Sequence, residues 1–432
     1  MNPFKKYDIR GIYPYELNEE FAFSLGGAVV SFLKGKKLVI GRDGRTSSNS
    51  LFSSLVEGII SCGCDVIDIG RCSTPQFYFE IYNGTADGGI MITASHNSKE
   101  FNGFKICGPN AKPIFEDNGF DKIKKLMDED LKSNEKGHVL VKNFFNEYVK
   151  YFSKFKKNIT KKMRILVDCG NGMGITEVKA LDKLYPNIQF ETIFPIIDGS
   201  FPNHECNPVK KENLRKLLEE IRIKKYDLGF ALDGDSDRVV CVTSSGFVIP
   251  SDILIAILAN EVCVEGDKVG YEVRTGTSVV EEIQKKFVPK IYPSGHALIK
   301  QGMIKDNCVF AGEKSGHYFY QKFHYCESVL YTMMLLMTIE DLDKKAKEII
   351  SRKYSLEEKN YVVKDKNGVL SLIEKEFSSN KILKIDGLSV YGKSFFFNIR
   401  KSNTEDLVRL NIEGDSKKIV DLVLEKIEKI IS

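Results

Sequence analysis

Short apolar segments of strand type recur along this chain, and longer segments with helical spacing separate several of them. The strand-type segments include KLVIGRD (37–43), MRILVDCGNG (163–172) and YDLGFALDGDSDR (226–238). Segments such as SLFSSLVEGIIS (50–61) and KENLRKLLEEIRIKK (211–225) carry apolar residues at helical intervals. This alternation predicts α/β domains with largely parallel sheets. Because ligands bind at the carboxyl ends of strands in such sheets, polar clusters at those ends are candidate sites.

The composition limits the class of partner and the compartment. With 63 basic and 59 acidic residues, the net charge of +4 is too small to favour nucleic acid or an anionic membrane as a partner. The ten cysteines form no matched CxxC pairs, which is typical of free thiols in a reducing cytoplasm. The apolar run 329–339 is shorter than the roughly 18 residues of a membrane span. We therefore expect a cytoplasmic protein.

The 432 residues are enough for several domains with separate cores. A polar connection at 128–140 separates a first α/β domain, 1–140, from a second at 141–245 and a third at 246–351. The last part, 352–432, differs, because its strand signals alternate as in an antiparallel sheet and precede an amphipathic helix. We expect this smaller domain to be α+β.

Three aspartates, Asp233, Asp235 and Asp237, alternate with small residues directly after an apolar strand. Carboxylates converging in a tight loop repel one another unless a hard cation such as Mg²⁺ binds them. The alternative is a solvated acidic turn. An EF-hand is excluded, because Arg238 and Ser244 stand where its glycine and glutamate are required. A D-x-D phosphatase would usually continue with Thr or Val instead of Asp237.

The segment MITASHNSKEFNGFK (91–105) changes from apolar to polar where a strand should end. Ser95 lacks the G-x-S-x-G surroundings of a hydrolase nucleophile. His96 is its neighbour, and neighbours on an extended chain point to opposite sides, which does not suit a catalytic triad. A phosphoryl carrier fits better, because His96, Asn97 and Lys105 can donate hydrogen bonds to phosphoryl oxygens. The alternative is a turn with a capping serine.

Four segments, TASHNSKEFNGFK, ALDGDSDR, GEKSGH and RKSNTE, resemble in order the signature loops of the α-D-phosphohexomutase family. The similarity is to its phosphomannomutase/phosphoglucomutase branch and extends from YDIRG at Tyr7 to about Arg409. The resemblance implies three similar α/β domains with mixed sheets and a smaller C-terminal α+β domain, arranged around a central cleft. Each domain would contribute one loop to that cleft.

The resemblance also implies roles for individual residues. Ser95 would carry the phosphoryl group and, with Asp233, Asp235 and Asp237, would bind Mg²⁺. Arg10, His96 and Lys105 are candidates for handling charge and protons. The residues expected to bind substrate are Tyr7, Arg238, His296, Glu313, Ser315, His317, Arg400, Ser402, Asn403, Thr404 and Arg409. Two alternatives stay open: Glu313 could pair with Lys314, and residues 402–405 could form a capped turn with Glu405 in support.

The function implied is a phosphohexomutase that interconverts hexose 1-phosphate and hexose 6-phosphate, of mannose or glucose, through hexose 1,6-bisphosphate. Alternatives are a phosphoglucosamine mutase and a non-catalytic phosphosugar-binding protein. A P-loop nucleotidase is a third, because GLSVYGKS (387–394) satisfies the Walker A pattern. A P-loop requires a helix next, whereas FFFNIR (395–400) predicts a strand, so we expect a hairpin there.

Overall fold

The computed structural model describes residues 2–402 and 406–431. The chain divides into two compact units. The first runs as far as Ile249 and also includes Ser315–Glu340, whereas the second combines Pro250–Lys314 with the chain from Asp341 onward. Within the described residues, none of the helices is long and apolar enough to cross a membrane.

The first sheet of the first unit is mixed. Its strands are β1 (Ile9–Ile12), β2 (Lys37–Arg42), β3 (Asp65–Arg71), β4 (Gly88–Ile92), β5 (Phe101–Cys107), β6 (Pro113–Ile114) and β7 (Val139–Val141). The helices of this part are α1 (Glu19–Leu33), α2 (Ser48–Ser61), α3 (Thr74–Asn83) and α4 (Phe120–Leu126). The strand order is β1-β5-β4-β2-β3-β7, with β6 paired to β5. Strands β4, β2, β3 and β7 run parallel, and β5 and β1 are antiparallel to their neighbours.

Local sequence explains where two of these helices begin. Asn18 precedes α1, and its side chain accepts a hydrogen bond from the backbone N–H of Phe21. Ser73 precedes α3 in a capping box with Gln76, and Pro75 lies in the first turn, where a missing N–H costs nothing. Helix α3 begins shortly after strand β3 ends, so its first residues lie at the carboxyl end of that strand.

A second mixed sheet completes most of the first unit. Its elements are α5 (Phe145–Ser153), β8 (Arg164–Asp168), α6 (Gly174–Leu184), β9 (Gln189–Ile193), α7 (Arg215–Lys224), β10 (Leu228–Leu232), β11 (Val239–Thr243) and β12 (Val248–Ile249). The strand order is β12-β11-β10-β8-β9, in which β10, β8 and β9 are parallel and β11 and β12 antiparallel. Buried side chains of β8, α7 and β11, including Leu166, Leu217 and Val242, form one core beside this sheet.

The second unit begins with another α/β segment, and the chain then returns to the first unit. The α/β segment contains α8 (Ser251–Val262), β13 (Lys268–Glu272), α9 (Thr277–Gln284), β14 (Val288–Tyr292), α10 (His296–Asp306) and β15 (Phe310–Gly312). Strands β14, β13 and β15 are parallel. The return segment in the first unit contains β16 (Tyr318–Tyr320), β17 (Cys326–Glu327) and α11 (Val329–Leu336), with β16 and β17 antiparallel.

The C-terminal part of the second unit is built on an antiparallel sheet. It contains α12 (Leu342–Ile350), β18 (Tyr354–Ser355), β19 (Lys359–Val362), α13 (Lys366–Glu376), β20 (Lys381–Leu383), β21 (Leu388–Tyr391), β22 (Phe395–Lys401), β23 (Leu407–Gly414) and α14 (Lys417–Ile431). Short 3₁₀ turns lie elsewhere in the chain, at Pro109–Ala111, Glu116–Asn118, Lys211–Leu214 and Gln321–Phe323. The C-terminal strand order is β18-β23-β22-β21-β20, and β19 also pairs with β23. One face of α14 packs Val420, Leu424 and Ile427 into the core of this sheet.

The predicted fold class is confirmed, with mixed α/β sheets followed by an α+β part. The hairpin predicted over the Walker-like residues is also confirmed, because β21 and β22 pair antiparallel around 392–394. The alternative of a capped turn at 402–405 falls mostly on residues outside the described ones, and strand β23 begins at Leu407. The boundaries at 140, 245 and 351 stay predictions, and strand β7 spans the first of them.

Candidate active site

Ser95 lies in the loop between β4 and β5, and its backbone is left-handed, with φ of 49°. That region costs a residue with a Cβ about 1–2 kcal/mol. Ser95 Oγ donates a hydrogen bond to Asp233 Oδ2 at 2.6 Å and lies 3.2 Å from His96 Nδ1. The expectation that Ser95 and His96 point to opposite sides is therefore wrong, because Ser95 is not extended.

The three aspartates follow strand β10 and are buried together. Their carboxylates each offer an oxygen within 4.8 Å of the others. The loop is held by Asp233 itself, whose Oδ1 accepts from the backbone N–H groups of Asp237 and Arg238 at 3.0 and 3.1 Å. Ser236 adopts a left-handed conformation within this turn. The predicted convergence of the trio is confirmed.

Lys105, on β5, is buried against the same carboxylates. Its Nζ lies 2.7 Å from Asp235 Oδ2 and also donates to Asp237 Oδ2. Thr74, the first residue of α3, donates its hydroxyl to Asp235 Oδ2 at 2.6 Å and its backbone N–H to the Asp235 carbonyl at 2.8 Å. One of the three negative charges is therefore neutralised by an ammonium group from the first sheet.

The pKa values of these groups shift in opposite directions. Burial, followed by repulsion from Asp237 and Asp235, raises the pKa of Asp233 well above its usual range. Burial would also raise the pKa of Asp237, but Lys105 and His317 lower it well below that range. Burial would lower the pKa of Lys105, but the two carboxylates beside it raise it, so the amine stays charged.

The aspartate trio offers oxygen ligands suitable for a metal ion. Asp235 Oδ1 is buried, and no described residue donates a hydrogen bond to it. Asp233 Oδ2 contacts a serine hydroxyl, which becomes a stronger oxygen ligand if it is phosphorylated. An all-oxygen donor set with several carboxylates is typical of a hard divalent cation. The residues therefore fit such an ion.

His317 connects the trio to the GEKSGH segment. Its Nε2 lies 3.0 Å from Asp237 Oδ1, and its Nδ1 lies 2.8 Å from Ser315 Oγ. Arg238 donates from Nε to His317 Nε2 at 3.3 Å. Both ring nitrogens of His317 are therefore engaged, so this buried histidine is part of a polar network rather than of an apolar core.

Arg10, Tyr7 and His96 also belong to the first unit. Arg10, on β1, donates to the Ala94 carbonyl and to Asn97 Oδ1, and pairs with Asp8 at 2.8 Å. Tyr7 lies three residues earlier, and the ammonium of Lys6 lies 5.6 Å from its ring centroid. Burial and the charges of Arg238 and Arg10 lower the pKa of His96 well below its usual range.

The remaining predicted residues lie in the second unit. Glu313 is buried after β15, and its Oε1 accepts from the backbone N–H of Gly295 at 2.9 Å. His296 follows Gly295 as the first residue of α10. Glu313 thus lies beside the segment that carries His296. The Nζ of Lys314 lies 3.3 Å from Asn411 Oδ1.

Arg400 and Arg409 lie opposite each other on β22 and β23. Both guanidinium groups lie near the carboxylate of Glu358, with Arg400 Nη2 3.9 Å from Oε2 and Arg409 Nη1 3.8 Å from Oε1. Arg274 Nη1 lies 3.8 Å from the same Oε2. Ser402 is buried and donates its backbone N–H to the Leu407 carbonyl. Asn403 and Thr404 lie outside the described residues.

Comparison with protein families covers the chain from end to end. Four profiles of phosphoglucomutase/phosphomannomutase match in order, namely alpha/beta/alpha domains I, II and III at residues 1–134, 145–246 and 250–356 and the C-terminal domain at 358–430. The chain belongs to the phosphoglucomutase/phosphomannomutase family. The resemblance drawn from its four signature segments is thereby confirmed.

Individual relatives support the same family assignment. The chain is 35% identical to a phosphomannomutase of Methanocaldococcus jannaschii, over 99% of the chain and 97% of the relative. It is 30% identical to a phosphomannomutase/phosphoglucomutase of Pseudomonas aeruginosa, over 97% of the chain and 93% of the relative. A crystal structure of a phosphoglucomutase/phosphomannomutase family protein from Burkholderia thailandensis superposes with a TM-score of 0.89, at 27% identity, covering 99% of this chain and 96% of that one.

Sequence reasoning missed several polar residues beside the signature loops of this family member. Thr74 and Arg45 follow strands β3 and β2, which run parallel to β4 and end near Ser95. The rule that parallel strands place their carboxyl ends on one edge could have suggested both. Nothing in the sequence indicated Glu358, because it lies in a charged segment without a motif.

Proposed function

We propose that this protein is a Mg²⁺-dependent phosphohexomutase that interconverts hexose 1-phosphate and hexose 6-phosphate, of mannose or glucose. The observation that carries the proposal is the buried hydroxyl of Ser95, 2.6 Å from a carboxylate of the aspartate trio. The full-length similarity to phosphomannomutases and phosphoglucomutases supports the same reaction class.

In the proposed reaction, phosphorylated Ser95 transfers its phosphoryl group to a free hydroxyl of the hexose monophosphate. The P–O bond to Ser95 breaks as the bond to the sugar oxygen forms, which yields hexose 1,6-bisphosphate and the free serine. The other phosphoryl group of the bisphosphate then returns to Ser95. A proton leaves the attacking sugar hydroxyl in the first transfer, and a proton is returned to the product in the second.

Three cationic or basic side chains support these transfers in the proposal. Lys105 is held between two carboxylates, so it serves as a fixed positive charge. Arg10 contributes a second positive charge beside the Ser95 loop. His96 Nδ1 lies 3.2 Å from Ser95 Oγ and is the candidate that handles the proton.

The metal in this proposal is Mg²⁺, held by Asp233, Asp235, Asp237 and an oxygen of phosphorylated Ser95. When bound, Mg²⁺ neutralises charge on the phosphoryl oxygens. Arg238, Ser315 and His317 complete the polar network on the other side of Asp237.

The second unit supplies the proposed sugar and phosphate contacts. Glu313 would accept hydrogen bonds from sugar hydroxyls, with His296 near it. Arg400 and Arg409, the only arginines of β22 and β23, would bind the phosphate that does not react. Tyr7, Ser402, Asn403 and Thr404 are assigned to substrate by resemblance. A cytoplasmic location remains a prediction that agrees with ten cysteines in thiol form.

Intact mass of the purified protein before and after phosphatase treatment, with peptide mapping, tests the phosphoserine. We expect one phosphate on Ser95, restored by hexose 1,6-bisphosphate, and a Ser95→Ala variant that folds but loses at least about 10³-fold in kcat. Phosphoryl exchange in protein without modification of Ser95 would refute the mechanism. Parallel assays with mannose, glucose and glucosamine phosphates decide the substrate, and a preference for glucosamine phosphate would replace the first part of the proposal.

A further inference from the structure

Arg45 lies three residues beyond the end of β2 and is buried, with 2% of its surface exposed. Its guanidinium donates to four backbone carbonyl oxygens, all in the segment that carries Ser95. Nη2 donates to the carbonyls of Ser95 and Asn97 at 3.0 and 2.6 Å. Nη1 donates to those of Ser98 and Phe101 at 2.7 and 2.8 Å.

The surroundings of Arg45 fix its orientation. Asp43 lies 3.3 Å from Nε and neutralises the buried charge, and the ring of Phe201 lies 5.1 Å from the guanidinium carbon. Cys206 adds a further donor, because its Sγ donates to the Ser95 carbonyl at 3.3 Å. Only a planar guanidinium presents paired donors on two nitrogens to four acceptors at once, so a lysine cannot reproduce this arrangement.

This arrangement acts on the backbone of Ser95. Ser95 is held at a positive φ, a conformation that persists only where its surroundings determine it. With its carbonyl bound by Arg45 and Cys206, Ser95 cannot rotate into the extended region. Rotation there would carry Oγ away from Asp233, to which it now donates.

We infer that Arg45 is a positioning residue for phosphoryl transfer, which holds Ser95 in the conformation that directs Oγ toward the aspartate trio. This inference rests on the proposed role of Ser95 as the phosphoryl carrier. Besides Asp43, Cys206 and the Phe201 ring, the described partners of the Arg45 guanidinium are main-chain oxygens of the loop, so its effect passes through Ser95 and not through the sugar.

The test is Arg45→Lys, with Arg42→Lys as its matched control. Arg42 ends the same strand and also pairs with an aspartate, Asp68 at 2.8 Å, but its hydrogen bonds go to Asp68 and Asn49, outside the Ser95 loop. We expect Arg45→Lys to lower kcat about 100-fold with KM within about twofold, because a misplaced reacting group costs rate on this scale. Transfer of phosphate from hexose 1,6-bisphosphate to dephosphorylated Ser95 should slow equally, and Arg42→Lys should match the wild type in both.

Two results would overturn the inference. Both are Arg45→Lys variants with wild-type kcat, the first with an unchanged KM and the second with a raised KM. A Cys206→Ala variant tests the same idea if Arg45→Lys does not fold. It removes one donor to the Ser95 carbonyl and should lower kcat about threefold without changing KM, whereas an unchanged kcat would reject the inference.

Failure of the proposed function gives a different result from failure of this inference. If the wild-type protein never carries phosphate on Ser95, the phosphoserine mechanism is wrong, and the positioning role is rejected with it. If wild-type Ser95 is phosphorylated and Arg45→Lys is phosphorylated just as fast, only the positioning role is rejected.

Discussion

Lys105 offers a quantitative test of how the aspartate trio is stabilised. Its side chain is 4% exposed and lies between the carboxylates of Asp235 and Asp237, which are 0% and 1% exposed. Lys105→Met keeps most of the apolar volume and removes the charge, so two buried carboxylates lose their cation. Removing one partner from a buried ion pair destabilises proteins by about 3–5 kcal/mol.

Protonation of one carboxylate limits that cost. At pH 7, placing a proton on an aspartate with the usual pKa costs about 4 kcal/mol, so the variant can lose no more than about that amount. We therefore expect a loss of about 3–4 kcal/mol in the absence of metal. For the first unit, with about 275 residues, an unfolding entropy of about 2.1 cal/mol/K per residue converts this loss to a fall of about 5–7 °C in melting temperature.

The assay is thermal unfolding at pH 7, in EDTA and in excess MgCl₂. Mg²⁺ should raise the melting temperature of Lys105→Met more than that of the wild type, because the ion no longer competes with an ammonium group for the same oxygens. Lys216→Met is the control, since Lys216 pairs with Glu220 at 2.9 Å on the surface of α7, where such a pair is worth at most about 1 kcal/mol. A Lys105→Met variant that melts within about 2 °C of the wild type in EDTA would refute the reasoning.

Two other carboxylates give further predictions. Burial raises the pKa of Glu177 to about 7. The folded state therefore holds a proton that the unfolded state releases above its own pKa, near 4.3, and stability falls as pH rises from there through about 7. Glu177→Gln should flatten the melting temperature between about pH 4.5 and 7 and raise it above pH 7, and an unchanged pH profile would contradict this. Glu358→Gln removes a negative charge near Arg400 and Arg409, so inorganic phosphate should inhibit the variant competitively about fivefold more strongly. An unchanged inhibition constant would count against phosphate binding by these two arginines.

Local patterns made much of the fold predictable. Segments such as KLVIGRD and YDLGFALDGDSDR carry their strand signal within themselves, and both form strands where it predicts them. The aspartate trio was equally predictable, because a single turn brings Asp233, Asp235 and Asp237 together. The hairpin over 387–394 followed from the strand character of the residues after it.

Contacts between distant segments were not predictable in the same way. Thr74 meets Asp235 across 161 positions, and Arg45 meets the Ser95 carbonyl across 50. No local spacing encodes such contacts, which follow from the arrangement of strands in the sheets. The left-handed backbone of Ser95 belongs to the same class, because its carbonyl partners come from elsewhere in the chain. For this reason the relation between Ser95 and His96 was misjudged from sequence.

The charge balance of the trio favours a divalent over a monovalent cation. Three carboxylates carry three negative charges when ionised. Lys105 pairs with Asp235 and Asp237, and Arg238 lies 3.8 Å from Asp233, which leaves one negative charge. In the proposed phosphorylated state, Ser95 adds about two more negative charges, so a divalent cation offsets more of the buried excess than a monovalent ion does. The raised pKa of Asp233 expresses the same imbalance, because a proton there reduces the excess in the absence of metal. Charge therefore agrees with the oxygen ligands in supporting the proposal of Mg²⁺ at this position.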